Sequence, residues 1–484
     1  MEVLLALDAG TTGVRTVAFG PDLSVLATAY RELTQYFPEP GWVEHDADEI
    51  ATLAIETLDE VAASLHSQGH QVVALGITNQ RETTVAFDRA TGSPLHRAIV
   101  WQDRRTAAWC EQLEADGHLA PVRSRTGLVL DSYFSGSKMR WLLDHGVAAQ
   151  ATDLAFATID AWLVWKLTNG TVFATEASNA SRTMLMDIKS RQWSSEMLDL
   201  VGVPLATLPE IRPSIGDFGE ISAVPSLKGV PIRGILGDQQ AALFGQACFG
   251  VGSIKATYGT GSFILANAGE ELPVVRDGLI TTVAWERDGQ ATYAYEGAAF
   301  VAGAAIQWLR DELQIITSSA EVGPLAASVE NAGGVAFIPA FTGLGSPWWR
   351  PQARGALMGL GRDTTRAHIA RAVVDALAYQ VTSITDAFRE AGVEVAELRA
   401  DGGASAMDDL LQLQATLSRV RVRRSTSLEA TARGAASAAG LGAGFFSSLE
   451  ELNTLWSSSL DCEPADPTLA DMAYREWCRL LERA

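Results

Sequence analysis

Val3-Leu4-Leu5-Ala6-Leu7-Asp8-Ala9-Gly10-Thr11-Thr12-Gly13-Val14-Arg15-Thr16-Val17-Ala18-Phe19 runs apolar, breaks at a turn of small residues and resumes a second apolar run. This order reads as a β-hairpin whose first strand ends in a glycine/threonine loop. Gly20-Pro21-Asp22 is a further turn signal and residues 25–30 form a third strand candidate. The pattern restarts in the second half: residues 232–236 lead to Gly237-Asp238-Gln239-Gln240, and residues 254–258 lead to Gly259-Thr260-Gly261-Ser262 and then to another apolar run. Strand, glycine turn and strand in both halves suggest internal duplication by pattern, though not by identity.

Between these hairpins, Asp46 followed three residues later by Glu49 resembles a capping box opening a helix with Ile50, Leu53, Leu58, Val61 and Leu65 on one side. Residues 72–77 read as a buried strand ending in Thr78-Asn79-Gln80-Arg81-Glu82-Thr83, and open α/β sheets place ligands at such strand ends. Residues 157–167, with Trp162 and Trp165, read as helical. Residues 396–400 form a late strand leading to Asp401-Gly402-Gly403-Ala404-Ser405 and a helix with Leu410, Leu411, Leu413 and Leu417. The restart places a domain boundary near Ala247, giving units 1–247 and 248–484 in an α/β chain.

A chain of 484 residues is too long for one ordinary core, and 47% hydrophobic with 20% charged residues is the balance of a folded protein. Its net charge of −21 disfavours a nucleic-acid partner, because phosphates would be repelled. Cys110, Cys248, Cys462 and Cys478 form no CxxC pair, which points to reduced thiols, and the seven histidines show no metal-ligand spacing. The start lacks a basic region and cleavage site, and the most apolar stretch, near residues 297–306, is too short to span a membrane. A soluble, cytoplasmic chain without a membrane span is expected.

Glycine turns let backbone N–H groups approach phosphate oxygens closely. Neither hairpin loop has Walker A spacing and no GxGxxG opens the first helix, so P-loop and Rossmann sites are excluded. Three glycine loops after apolar strands, at 9–13, 258–261 and 401–404, are harder to explain as turns alone. Asp238 stands after a fully apolar strand, where a carboxylate can cap a helix or take a proton from a substrate hydroxyl. By itself Arg81-Glu82 reads as a solvent ion pair, while Trp101, Tyr133 and Phe263 read as core before ligand platform.

Further stretches add specificity: Pro40-Gly41-Trp42-Val43-Glu44-His45-Asp46, Gly76-Ile77-Thr78-Asn79-Gln80-Arg81-Glu82-Thr83-Thr84, Ala98-Ile99-Val100-Trp101-Gln102 and Asn179-Ala180-Ser181-Arg182-Thr183-Met184-Leu185. With Tyr133-Phe134-Ser135-Gly136-Ser137-Lys138, Gly355-Ala356-Leu357-Met358-Gly359-Leu360 and Gly237-Asp238-Gln239-Gln240-Ala241-Ala242-Leu243-Phe244-Gly245, the whole chain resembles the FGGY carbohydrate kinases of the actin-like ATPase superfamily. Within that family it is most similar to the members that phosphorylate glycerol.

The resemblance implies two actin-like (ribonuclease H-like) ATPase domains, 1–247 for the polyol and 248–484 for the nucleotide, with ATP and Mg2+ in the cleft between them. It implies Arg81, Glu82, Trp101, Tyr133, Asp238, Gln239 and Phe263 at glycerol or a similar small polyol, with Asp238 as general base. Thr11, Thr12, Arg15, Thr260, Gly303, Gln307, Gly403 and position 407 would contact nucleotide, Asp8 would lie near the magnesium, and a homo-oligomer is expected. At position 407 these kinases usually carry Asn, whereas this chain has Met407, expected in the first turn of a helix capped by Ser405 and facing the purine. The alternatives are a sibling kinase for another polyol or a ketose such as xylulose, and an actin-like ATPase switch without a small-molecule acceptor. An arginine that donates, two carboxylates that accept and aromatic faces over the carbon edge together suit a small polyol.

Overall fold

In the computed structural model, which describes residues 1–484, the opening run is the centre of a mixed sheet. Strands β1 (Glu2–Ala9), β2 (Gly13–Phe19) and β3 (Val25–Glu32) are joined antiparallel, as the alternating runs and turns predict. Helix α1 (Ala47–Ser67) crosses to β4 (Gln71–Asn79), which lies parallel to β1, and β5 (Ile232–Gly237) lies parallel to β4. The order is therefore β5-β4-β1-β2-β3. Parallel neighbours covered on both faces require near-continuous apolar strands, which accounts for Val3 to Leu7 being fully buried.

Helix α2 (Asp238–Gly245) follows β5, and the same construction begins again. Strands β6 (Ser253–Tyr258), β7 (Ser262–Gly269), β8 (Ile280–Arg287) and β9 (Gln290–Ala299) lead to α3 (Gly303–Asp311) and α4 (Arg366–Glu390). Strand β10 (Glu397–Asp401), helix α5 (Asp408–Ser418), β11 (Arg421–Ser425), helix α6 (Ala430–Gly442) and β12 (Ser458–Cys462) complete it. The second sheet runs β8-β9-β7-β6-β10-β11-β12. Its β9-β7-β6-β10-β11 core repeats the first sheet's topology, with antiparallel β6–β7 and β7–β9 pairs and parallel β6–β10 and β10–β11 pairs. The duplication suggested by pattern is thus a repeated sheet order.

Helix α6, late in the chain, returns to the first sheet and packs on β1, β4, β5 and α2. Its Ala/Gly composition permits this, because backbones meet directly. A Cβ on Gly434 would lie 1.8 Å from the Ala241 carbonyl, and one on Gly76 would lie 2.1 Å from that of Ala435. At the start of α1 the Asp46 carboxylate accepts from the Asp48 and Glu49 N–H groups, satisfying donors that a helix end leaves free. The expected reciprocal half of the capping box is absent, since Glu49 Oε1 instead accepts from the Thr34 backbone and hydroxyl. Helix Ile159–Leu167 carries Trp162 into the core of the first unit, its indole donating to the Ala47 carbonyl at 2.7 Å. All four cysteines are free thiols, and no helix is long and apolar enough to cross a membrane.

Candidate active site

The repeated topology brings the carboxyl ends of five strands together. In register, Asp8 on β1 faces Thr78 on β4, and Gly237 on β5 faces Asn79. The loops after β1, β4 and β5 therefore present Asp8–Thr12, Arg81–Glu82 and Asp238 at one end of the sheet, where parallel sheets leave an opening for ligands. On the second sheet, Thr257 faces Asp401, so the loops after β6 and β10 present Thr260 and Gly403. The backbone at Glu82 lies at φ 60°, a left-handed conformation that an ordinary residue adopts at a cost and keeps only where its surroundings fix it. The fixing groups are the hydroxyls of Ser135 and Thr84, which donate to the Glu82 carbonyl at 3.0 and 3.2 Å.

Arg81 and Glu82 do not form a solvent ion pair: they are 2% and 1% exposed. Burial of a charge demands partners, and here they come from distant segments. Arg81 NH1 donates to Glu296 Oε2 at 2.6 Å and to Gln240 Oε1 at 3.2 Å; NH2 donates to Glu296 Oε1 at 3.0 Å and to the Tyr133 hydroxyl at 3.4 Å. Arg182 joins the same group, its Nε donating to Glu82 Oε1 at 2.6 Å and its NH2 to Glu296 Oε1 at 3.1 Å. Burial pushes the Glu296 carboxyl up, but Arg182 and Arg81 outweigh that and hold it at about 2. Burial raises Glu82 against the opposing pull of Arg182 and Arg81.

Asp238 sits at the rim of this cluster. Gly237 occupies the helix cap and Asp238 is the first residue of α2, with Oδ1 accepting the Gln239 N–H at 2.7 Å and lying 3.3 Å from Arg81 Nε. Its side chain is 31% exposed to the cleft, and burial raises its pKa against Arg81 and Lys255. Lys255, from β6, donates to Gln239 Oε1 at 2.5 Å and to the Phe263 carbonyl at 3.3 Å, and burial lowers it to about 8. Trp101 is half-buried and not a core residue; its indole donates to Thr11 Oγ1 at 2.9 Å and meets Tyr133 edge-on at 5.6 Å. Lys138 holds the Tyr133 loop by donating to the carbonyls of Ser132, Tyr133 and Phe134. Glu82 Oε2, Asp238 Oδ2 and Arg81 Nε–H make no hydrogen bond within the protein, so two acceptors and one donor converge beside two aromatic rings.

Beyond this group, a cavity of about 830 Å3 opens between α3, α4 and α5. Thr260, Gly303, Gln307, Gly403 and Met407 all line it, together with Tyr258, Ile306 and the Arg371–Asp375 pair. Glycine is required at its edge: Gly402 has φ 86°, and a Cβ on Gly303 would lie 2.6 Å from the Gly259 carbonyl. Met407 is not in the first helical turn. A 3-10 turn over Gly403–Ala406 delays α5, so Met407 is its cap residue, and Ser405 donates to the Gly402 carbonyl instead of capping the helix.

Thr11, Thr12 and Arg15 are not in that wall; they belong to the loop and strand after β1, beside Asp8 and Trp101. Arg15 bridges Asp8 at 3.1 Å and Glu429 at 2.6 Å, and burial raises Asp8 against that arginine. Sequence reasoning did not single out Glu296, Arg182 or Lys255. Glu296 and Lys255 each left one signal, a lone charge in an otherwise uncharged, buried strand, which implies a buried partner without naming it.

Residues 3–245 match the N-terminal domain of the FGGY family of carbohydrate kinases, and residues 254–443 match its C-terminal domain. A glycerol kinase of Albidiferax ferrireducens is 50% identical over 489 residues, 99% of this chain and 98% of its own. One from Polaromonas naphthalenivorans is 50% identical over 467 residues, 94% of each chain. Among solved structures, Plasmodium falciparum glycerol kinase with ADP matches at a TM-score of 0.94 and 33% identity, over 100% of this chain and 98% of that one. A xylulose kinase from Lactobacillus acidophilus matches at 0.90 and 18% identity, over 100% and 98%, which shows the shared fold alone. With both domains matched and full-length relatives at half identity, this chain belongs to the FGGY family of carbohydrate kinases.

Proposed function

We propose that the chain is an ATP-dependent glycerol kinase, with residues 1–247 holding the polyol and 248–484 the nucleotide. The observation that carries this reading is the set of unfilled valences at Arg81, Glu82 and Asp238 beside Trp101 and Tyr133. Glycerol offers three hydroxyls and a short C–H edge. One hydroxyl accepts from Arg81 Nε–H, Glu82 Oε2 and Asp238 Oδ2 accept from hydroxyls, and the rings of Trp101, Tyr133 and Phe263 cover the carbons. Site groups that pair with each hydroxyl reject an analogue lacking one, because they would be left unpaired.

Asp238 is the general base. Its Oδ1 is occupied by the Gln239 N–H, which leaves Oδ2 to take the proton from the attacking primary hydroxyl as that oxygen bonds to the γ-phosphorus and the bond to ADP breaks. The products are glycerol 3-phosphate and ADP. The purine occupies the 830 Å3 cavity, and the loops carrying Thr11, Thr12 and Thr260 offer N–H and hydroxyl groups to the phosphates. Closure of the two units over the cleft excludes water, which would otherwise compete with the alcohol.

Magnesium fits the residues present. Asp8 and Asp238 lie near enough that the charge of Asp8 helps to raise Asp238, and no group of three or more metal-binding side chains gathers there. Magnesium is held by one or two carboxylates together with substrate phosphates and waters, so a sparse donor set suits it. Asp8 would hold the ion, which when bound supplies charge neutralisation on the phosphates.

The test is ADP release with glycerol, xylulose, gluconate and no acceptor. Glycerol giving the highest kcat/KM is expected. Faster turnover of xylulose overturns the acceptor assignment, and equal turnover without acceptor overturns the kinase reading.

A further inference from the structure

A guanidinium has five N–H groups. In Arg81 four are already given to protein: NH1 to Glu296 Oε2 and Gln240 Oε1, NH2 to Glu296 Oε1 and the Tyr133 hydroxyl. The remaining Nε–H edge lies 3.3 Å from Asp238 Oδ1 and 3.8 Å from Glu82 Oε1. Glu296 takes one hydrogen bond from each terminal nitrogen, a two-point grip that fixes the plane of the guanidinium as well as its position. The direction of the last donor is therefore decided by Glu296. The same carboxylate accepts from Arg182, whose Nε occupies Glu82 Oε1, so the free oxygen of Glu82 is oriented through it as well.

Glu296 does not belong to the sheet that carries Arg81. It lies 215 residues away on β9, and that strand runs on to Gly303 in the wall of the nucleotide cavity. Glu296, the one charge in this buried strand and 0% exposed, has no ion-pair partner other than these two arginines.

We propose that Glu296 is a positioning residue for the phosphoryl acceptor: from the nucleotide-bearing sheet it clamps Arg81 so that the one unused N–H points at the acceptor, and it sets Glu82 through Arg182. This rests on the glycerol reading of the site. An amide at this position keeps one accepting oxygen and turns a donor toward Arg81, so the clamp fails on one side. A misplacement of about 1 Å costs on the order of 10²-fold in rate.

The experiment compares wild type, Glu296→Gln and Glu296→Asp with glycerol and with propane-1,2-diol, which lacks one hydroxyl. The ratio of the two kcat/KM values, taken on one preparation, does not depend on how much of the protein is folded. In Glu296→Gln that ratio is expected to fall about tenfold or more, with the KM for ATP within about twofold of wild type. Glu296→Asp, which keeps the charge but retracts the carboxylate by one methylene, is expected to fall between, and serves alone if the amide variant does not fold. An unchanged ratio, a loss carried by the KM for ATP, or full activity in Glu296→Asp would each overturn the proposal. If wild type prefers another acceptor, the glycerol reading fails, and the same ratio measured with that acceptor and its deoxy analogue still decides the role of Glu296.

Discussion

Replacing Asp238 with Asn separates chemistry from packing. The amide oxygen can still accept the Gln239 N–H now held by Oδ1 at 2.7 Å, and the volume is unchanged, so helix α2 should start where it does now. What disappears is the second oxygen as a proton acceptor. A positioned general base contributes ~10²–10⁴-fold, equivalent to about 2.7–5.4 kcal/mol of barrier at 1.36 kcal/mol per tenfold. Turnover is therefore expected to fall by that factor while nucleotide affinity is retained. The base works only when ionised, and burial raises its pKa, so wild-type turnover should decline with acid at a higher pH than an ordinary aspartate would give. The assay is coupled ADP release at saturating glycerol and ATP over pH 5–9, with nucleotide affinity measured separately by fluorescence. Turnover of Asp238→Asn within a few-fold of wild type would refute the base assignment.

Glu82→Gln removes a charged acceptor from a buried site, a loss of about 1.5–3 kcal/mol, and is expected to raise the KM for glycerol roughly 10- to 150-fold with the KM for ATP unchanged; steady-state kinetics decide it, and an equal rise in both constants would count against it. Met407 lines the 830 Å3 cavity, the proposed nucleotide pocket, beside Gly323, where a thioether offers only apolar contact, so wild type should use GTP and ITP nearly as well as ATP, and Met407→Asn should shift preference by about two- to tenfold. Equal selectivity in both would show Met407 to be packing alone. His45 is buried against Gln80 and burial lowers it to about 4, so between pH 6.5 and 4 the unfolded chain binds a proton that the folded chain refuses. Stability should drop by about 3 kcal/mol as pH falls through that window, and urea melts of His45→Gln should show a flatter slope.

Elements carried by local pattern were legible in the sequence. Apolar runs ending at glycine turns gave the first three strands and the restart at Ile232, because a strand buried on both faces has few other compositions available. The polar residues after β4 and β5 were legible as a candidate site because of where they fall on a strand, and the structure brings Arg81, Glu82 and Asp238 together there. The position of Met407 was misjudged by less than one turn, because a 3-10 segment after Gly402 is invisible to a helical count. Burial of Arg81 was misjudged for another reason. Next to Glu82 it looks locally paired, yet its strongest partner is Glu296, and nothing near either residue names the other.

That hidden pairing explains how the proposed polyol site can be built in a dry place at all. Arg81 and Arg182 pair with Glu82, Glu296 and Asp238, and all but Asp238 are withdrawn from water. Such a cluster adds little net stability, since desolvation offsets most of the attraction. Its contribution is geometric. Arg81, Arg182, Glu82 and Glu296 fix one another's directions, leaving one donor and two acceptors of known orientation beside Asp238. A site of neutral amides could bind the same hydroxyls, but it would lack a base. A lone carboxylate in the same apolar setting would hold its proton and be no base either. Arg182 and Arg81 hold the Glu296 carboxylate ionised, and the partial exposure of Asp238 leaves it open to the proton transfer proposed for it.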